Sequence, residues 1–226
     1  MSHPILPDAT YYQASASADH YPQLKQNVDC EVCIIGAGFA GLATALGLAE
    51  RGVRNILILE AEEIGHGASG RNGGFVFGGY SLDNRDLLQQ IGTTAARNLY
   101  QLSLDAVNLI RRRIDQYAID CDINTQGVLL ANWFDDAKIL QKQRDLMLRE
   151  FDVAWDAWST EKTRDHLHSK RYFGALHEKN AFHFHPLKYA QGKARALTQL
   201  GVQIFTQTRV TAIETSAAEK IIRTTN

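Results

Sequence analysis

The chain has 226 residues, 45% of them apolar, with 24 Lys+Arg against 25 Asp+Glu and a net charge of -1. Such a chain suits one large or two small globular domains with a buried core, and its balanced charge argues against a nucleic-acid partner. Three cysteines, Cys30, Cys33 and Cys121, are too few and too unevenly placed for a disulfide framework.

Residues 1–27 are polar, with two early prolines and a Tyr11-Tyr12 pair, and read as an extended arm with little structure of its own. Residues 1–21 contain no basic segment followed by an apolar one, so neither a secretory signal nor a transit peptide is indicated, and a cytoplasmic location is expected. Residues 32–49 are uncharged for eighteen positions, about the length of a membrane span. The glycines at 36, 38, 41 and 47 fit a buried strand, a tight turn and a buried helix better, so no membrane span is expected.

The pattern predicts a buried strand at 30–35, a glycine turn, a helix at about 39–51 and a second buried strand at 55–60. Leu42, Ala45, Leu46 and Ala49 form one apolar helical stripe. Strand, turn, helix and strand within about 30 residues make a βαβ unit. Cys30 and Cys33 fall in the first strand, where residues three apart point to opposite faces, so they read as strand residues and not as a redox pair.

Gly36-x-Gly38-x-x-Gly41 sits directly after that strand and opens the helix, the context in which this spacing carries meaning. Gly36 permits the tight turn, Gly38 lets backbone N–H groups approach a pyrophosphate, and Gly41 lets helix and strand pack closely. The helix N-terminus adds about half a positive charge toward the phosphates. Glu60, nineteen residues beyond Gly41, is placed to accept hydrogen bonds from adenosine ribose hydroxyls and disfavours a 2′-phosphate. A second loop, residues 65–74, has glycine at five of ten positions. Ser69, Arg71, Asn72 and the backbone at Gly73-Gly74 are candidates to hold the far side of a pyrophosphate.

Further along, residues 85–117 read as a long helical stretch broken near Gly92. A strand follows at 126–133, an amphipathic helix at 135–151, a short helix at 161–168 and a strand at 172–177. A helix from Pro186 to about residue 200, ended by Gly201, precedes short strands at 203–206 and 209–214. The expected organisation is an arm at 1–27, the first part of a nucleotide domain at 28–118, an inserted α+β portion at 119–184 and the second part at 185–226. His166-x-His168 and His183-x-His185 lack the further ligands of a four-ligand site, so no metal is expected. Tyr100, Trp133, Trp155 and Trp158 read as core aromatics.

The run from Cys30 through Gly41, then Glu60-Ala61, the loop GASGRNGG at 67–74, His185-Pro186-Leu187 and Arg209-Val210 resembles the D-amino-acid oxidase and glycine oxidase superfamily of FAD-dependent amine oxidoreductases. Within it, the Tyr11-Tyr12-x-Ala14-Ser15 start and the segment 119–122 are similar to the gamma-glutamylputrescine oxidase branch. The resemblance covers about residues 11–214, with Phe75 standing where close relatives often carry Gln.

It implies an α/β fold, a Rossmann-like FAD-binding domain with an inserted α+β substrate-domain portion. The cofactor-binding set it implies is Gly36, Ala37, Gly38, Phe39, Ala40, Gly41, Glu60, Ala61, Ser69, Arg71, Asn72, Gly73, Gly74 and Val210, the last holding the adenine through its backbone. The implied partners are a small-molecule amine and O2. A hydride passes from the carbon beside the amine to flavin N5, the resulting imine hydrolyses, and oxygen regenerates the flavin with release of peroxide. No catalytic residue is assigned. Relatives of this kind continue for about as long again, so the chain is expected to be an N-terminal fragment. A different flavin dehydrogenase and a non-catalytic dinucleotide-binding module stay open as alternatives.

Overall fold

The computed structural model describes residues 10–17, 19–216 and 219–225. In chain order these form α1 (Tyr11–Ser15), β1 (Val32–Ile35), α2 (Phe39–Glu50), β2 (Ile56–Leu59), a 3₁₀ turn at Ala68–Gly70, β3 (Phe75–Val76), α3 (Asn84–Gln116), β4 (Val128–Ala131), α4 (Ala137–Phe151), β5 (Asp156–Trp158), α5 (Thr160–Leu167), β6 (Ala175–Glu178), β7 (Phe182–His183), α6 (Pro186–Gln199), β8 (Gln203–Phe205), β9 (Val210–Thr215) and β10 (Lys220–Thr224). They group into two compact units.

The first unit takes Met1–Gly74, Ile114–Asp122 and His185–Asn226. Its centre is a parallel sheet in the order β1-β2-β8, in register from Val32 opposite Ile56 to Ile35 opposite Leu59. All four residues of β2 are buried, as a strand covered on both faces requires. Leu42, Ala45, Leu46 and Ala49 of α2 meet Ile56, Ile58 and Ile204 of the sheet and Ala190, Ala194 and Leu197 of α6 in one core. The eighteen uncharged residues are therefore β1, a turn and α2, and among the described residues no helix is long and apolar enough to cross a membrane. β9 and β10 form a separate antiparallel hairpin.

Residues 10–27 depart from the extended arm expected of them. Thr10 caps α1 by accepting from the Gln13 N–H, while the Gln13 side chain accepts from the Thr10 N–H, a reciprocal capping box. The stretch after α1 is pinned by backbone bonding: Thr206 donates to Pro22 O, and Leu24 donates to Thr208 Oγ1. Cys30 precedes β1, so strand alternation does not separate it from Cys33. Burial raises the pKa of both thiols, Cys33 up to about 11.

The second unit takes Phe75–Arg113 and Ile123–Phe184. It holds an antiparallel sheet in the order β4-β6-β5 and a small β3-β7 ribbon. Gly92, with φ +77, interrupts the long helical span as expected. Tyr100 and Trp155 join Met147, Phe151 and Leu176 in its core. Trp133 does not: it is 53% exposed, lies edge-on to Tyr172 and carries the Arg171 guanidinium over its ring.

Candidate nucleotide-binding site

β1 delivers the chain into the glycine turn, where Gly36 at φ +98 donates its N–H to Leu59 O at 2.8 Å. That bond ties the turn to the end of β2, and the positive φ suits glycine alone among common residues. α2 then starts at Phe39 with Gly38 as its N-cap. A Cβ on Gly41 would stand 1.9 Å from Gly36 O and 3.3 Å from Ile34 Cγ2, so only glycine lets α2 close onto the strand. The Gly38, Ala40 and Gly41 N–H groups have no acceptor among the described residues. Unpaired N–H groups at a helix start, with the positive end of the helix dipole behind them, suit an anionic ligand.

Glu60 lies just past β2. One carboxylate oxygen accepts from the Ala37 N–H at 2.6 Å and the other from the Glu62 N–H at 2.9 Å. Its own N–H donates to Phe205 O, and its carbonyl accepts from Thr208, which locks it to the end of β8. The carboxylate is thus held across the mouth of the glycine turn, with its remaining lone pairs available to a ligand hydroxyl. Ala61 follows it, half-buried.

The second glycine-rich loop folds onto the first. Gly65 donates to Ala37 O at 3.1 Å, and Ser69 Oγ accepts from the Phe39 N–H at 2.8 Å. A Cβ on Gly38 would come within 3.0 Å of Ser69 Oγ, so serine and turn face one another at van der Waals distance. Gly70 is required in the same way, since a Cβ there would meet Gly65 O at 2.4 Å and Leu187 Cδ1 at 3.1 Å.

Asn72 is engaged inside the loop. Its amide nitrogen donates to Ala68 O and Ser69 O at 3.0 Å each, and its oxygen accepts from the Gly74 N–H at 2.8 Å. Asn72 therefore shapes the backbone that Ser69, Gly73 and Gly74 present. Asn72→Ala removes all three contacts and is expected to cost about 1–3 kcal/mol. A thermal melt lower by several degrees would show it; an unchanged melting temperature would remove this role.

The remaining candidates are spread more widely. Arg71 is exposed and lines a cavity of about 300 Å³ bordered by residues 10–20 on one side and the 63–71 loop on the other. Gly73 is exposed, and Gly74 takes φ +69. Val210 opens β9 opposite Thr224, beside a register shift, and the preceding Arg209 pairs with Glu62 at 2.7 Å. Phe75, in the second unit, is 62% exposed with its ring 6.0 Å from that of His183. His183 lies on β7, whereas His185 is the N-cap of α6. Among the described residues no group of three or more His, Cys, Asp or Glu is arranged to hold a metal.

Sequence reasoning passed over Lys193. It is 2% exposed, and its ammonium lies 4.6 Å from the Phe39 ring centroid and 4.5 Å from that of Tyr189, beside the first turn of α2. The signal was present: Lys193 occupies the apolar stripe Tyr189, Ala190, Ala194 and Leu197 of α6, where a charge is out of place.

A parallel sheet whose first strand runs through a three-glycine turn into a helix, with a carboxylate closing the next strand, defines a Rossmann-type dinucleotide-binding protein. The family model described as FAD dependent oxidoreductase (DAO) matches residues 31–226, and the chain belongs to that family. It is 37% identical over 205 residues to a probable oxidoreductase OrdL of Haemophilus influenzae, covering 89% of this chain and 47% of the relative. It is 35% identical over 207 residues to gamma-glutamylputrescine oxidoreductase of Escherichia coli, covering 91% and 48%. Among solved structures, L-amino acid deaminase from Proteus myxofaciens matches with a TM-score of 0.72 at 25% identity, over 93% of this chain and 46% of that one. The chain thus spans about half the length of the relatives it matches.

Proposed function

We propose that this chain forms the dinucleotide end of an FAD site in an enzyme that oxidises a small primary or secondary amine, of the gamma-glutamylputrescine or amino-acid type, to an imine with release of peroxide. The observation that carries the reading is the glycine turn with its unpaired N–H groups, bracketed by Glu60 and Ser69. The similarity to gamma-glutamylputrescine oxidoreductase of Escherichia coli supports the choice of substrate class.

In this reading the Gly38, Ala40 and Gly41 N–H groups and the α2 N-terminus hold the pyrophosphate. Glu60 takes the ribose hydroxyls, the Val210 backbone takes the adenine, and Ser69 with Gly73-Gly74 borders the path toward the ring. Ala37 and Phe39 contribute as the residues that fasten the turn to Glu60 and Ser69. Arg71 and Ala61 flank the site, and Asn72 holds its loop in shape. The bound flavin supplies the electron acceptance; the protein's share is orientation and exclusion of water.

The test is the visible spectrum of the purified chain after loading with FAD and desalting, followed by anaerobic titration with gamma-glutamylputrescine and with amino acids. Retained flavin bleached by an amine, with peroxide formed on readmitting oxygen, is the expected result. Bleaching without peroxide would replace oxidase by dehydrogenase. Retained flavin that no amine reduces would leave a binding module and overturn the enzymatic reading.

A further inference from the structure

A charged side chain stands inside the first unit beside the glycine turn. Lys193, on α6, is 2% exposed. Its ammonium reaches Phe39 O at 3.4 Å, between the Phe39 and Tyr189 rings. Phe39 is the first residue of α2. Phe39 O and Ala40 N share one peptide group and lie about 2.3 Å apart, which puts the ammonium within about 6 Å of the Ala40 nitrogen.

Packing does not call for a charge at this position. The α6 stripe that carries it, Tyr189, Ala190, Ala194 and Leu197, is buried and apolar. A Met in its place would fill the space between the rings without giving up the hydration of an ammonium. The two ring faces offset part of that cost. The contact with Phe39 O is long for a hydrogen bond, and that carbonyl already serves the α2 ladder.

Electrostatics gives the charge a use. The N–H groups at the start of α2 form the positive end of the helix dipole, and Lys193 adds to that end instead of opposing it. Like charges side by side disfavour one another, and an anion bound to them relieves both. The Glu60 carboxylate, held by the Ala37 N–H at 2.6 Å, places a negative charge at the same turn, which suits ribose hydroxyls but repels phosphate. A buried cation offsets that repulsion where the helix N–H groups alone carry only about half a charge.

We propose that Lys193 supplies a buried positive charge to the phosphate site at the start of α2, favouring ligands that carry a pyrophosphate over neutral nucleosides. This rests on the glycine turn being a pyrophosphate site. Lys193 acts through space, across the first turn of α2. With an effective dielectric of about 20, a unit charge at this range changes the affinity for an anion about tenfold.

Calorimetric titration of the full 226-residue chain with FAD, ADP and adenosine tests this, alongside thermal melts without ligand. Lys193→Met is expected to bind FAD and ADP about tenfold more weakly and adenosine, which carries no charge, within about twofold of wild type. Its ligand-free melting temperature is expected to equal or exceed that of wild type, because an apolar side chain of similar size avoids the desolvation of a buried ion. Lys193→Gln keeps a donor for Phe39 O without the charge and is expected to lose FAD and ADP affinity in the same way. Wild-type affinity for FAD and ADP in either variant would overturn the proposal. So would equal losses for all three ligands together with a lower melting temperature, which would make Lys193 a structural residue. If the wild-type chain binds neither FAD nor ADP, the pyrophosphate reading of the turn fails and the role of Lys193 with it; if it binds both and the variants match it, only the role of Lys193 fails.

Discussion

Gly41→Ala is expected to be among the most damaging single substitutions in the first unit. The added methyl has to displace Gly36 O, 1.9 Å away, and that oxygen is main chain, with no side-chain rotation available to relieve it. Either α2 lifts from β1, opening the core around Leu42, Ala45 and Ile58, or the glycine turn deforms. Overpacking of this kind costs about 1–3 kcal/mol or more, lowering the melting temperature by about 2–12 °C for a chain of this size. The same displacement moves the N–H groups at the start of α2, so cofactor retention should fall together with stability. Gly67→Ala is the matched control: Gly67 belongs to the neighbouring loop, has negative φ, and a Cβ there meets nothing within 4 Å. Thermal melts and flavin retention of the two variants separate the readings. If Gly41→Ala melts with the wild type, the close approach of α2 to β1 is not what this glycine serves.

The contrast between these glycines bears on what could be read from the chain alone. Long periodic elements were legible because their burial pattern is local: the α2 stripe, the interrupted helix at 84–116 and the buried run of β2 all repeat their own signals along the sequence. β3, β5 and β7, of two or three residues, were not, because pairing across the chain creates them, β3 with β7 and β5 with β6. α1 was readable in principle, since Thr10-x-x-Gln13 is a capping-box spacing, but the prolines and small polar residues around it read as arm. Cys30 and Cys33 were separated by assuming that the strand began two residues earlier than it does.

The site shows the same division. Gly36, Gly38, Gly41 and Glu60 come together where the spacing put them, because a βαβ unit fixes their geometry within one local motif. Asn72 and Arg71 share a loop with Ser69, yet one bonds within the loop and the other lines the cavity beside residues 10–20. Residue type in an irregular loop does not encode side-chain direction, so Ser69 and Asn72 were indistinguishable as candidates until the backbone was in place. Lys193 is the reverse case. Its place in an apolar stripe announced an unusual environment, but its neighbours Phe39 and Tyr189 come from two different helices.

Glu60→Gln is expected to weaken FAD binding by about 10- to 150-fold, the equivalent of about 1.5–3 kcal/mol for a hydrogen bond to a charged group. Both carboxylate oxygens already receive backbone N–H groups, from Ala37 and Glu62. Gln supplies only one acceptor, so its amide NH2 must face one of those donors and push it away. If NH2 faces Ala37, the glycine turn loosens; if it faces Glu62, the residues after β2 shift. In either orientation fewer lone pairs remain for ribose hydroxyls. Glu62→Gln provides the comparison, because the Glu62 side chain is bound to Arg209 at the surface. Fluorescence-quenching titration with FAD should therefore show a large loss for Glu60→Gln and less than about twofold for Glu62→Gln, as befits a surface ion pair worth little. Equal affinities for the two variants would mean that the carboxylate at 60 serves only to fasten the turn, and that ribose recognition lies elsewhere in the site.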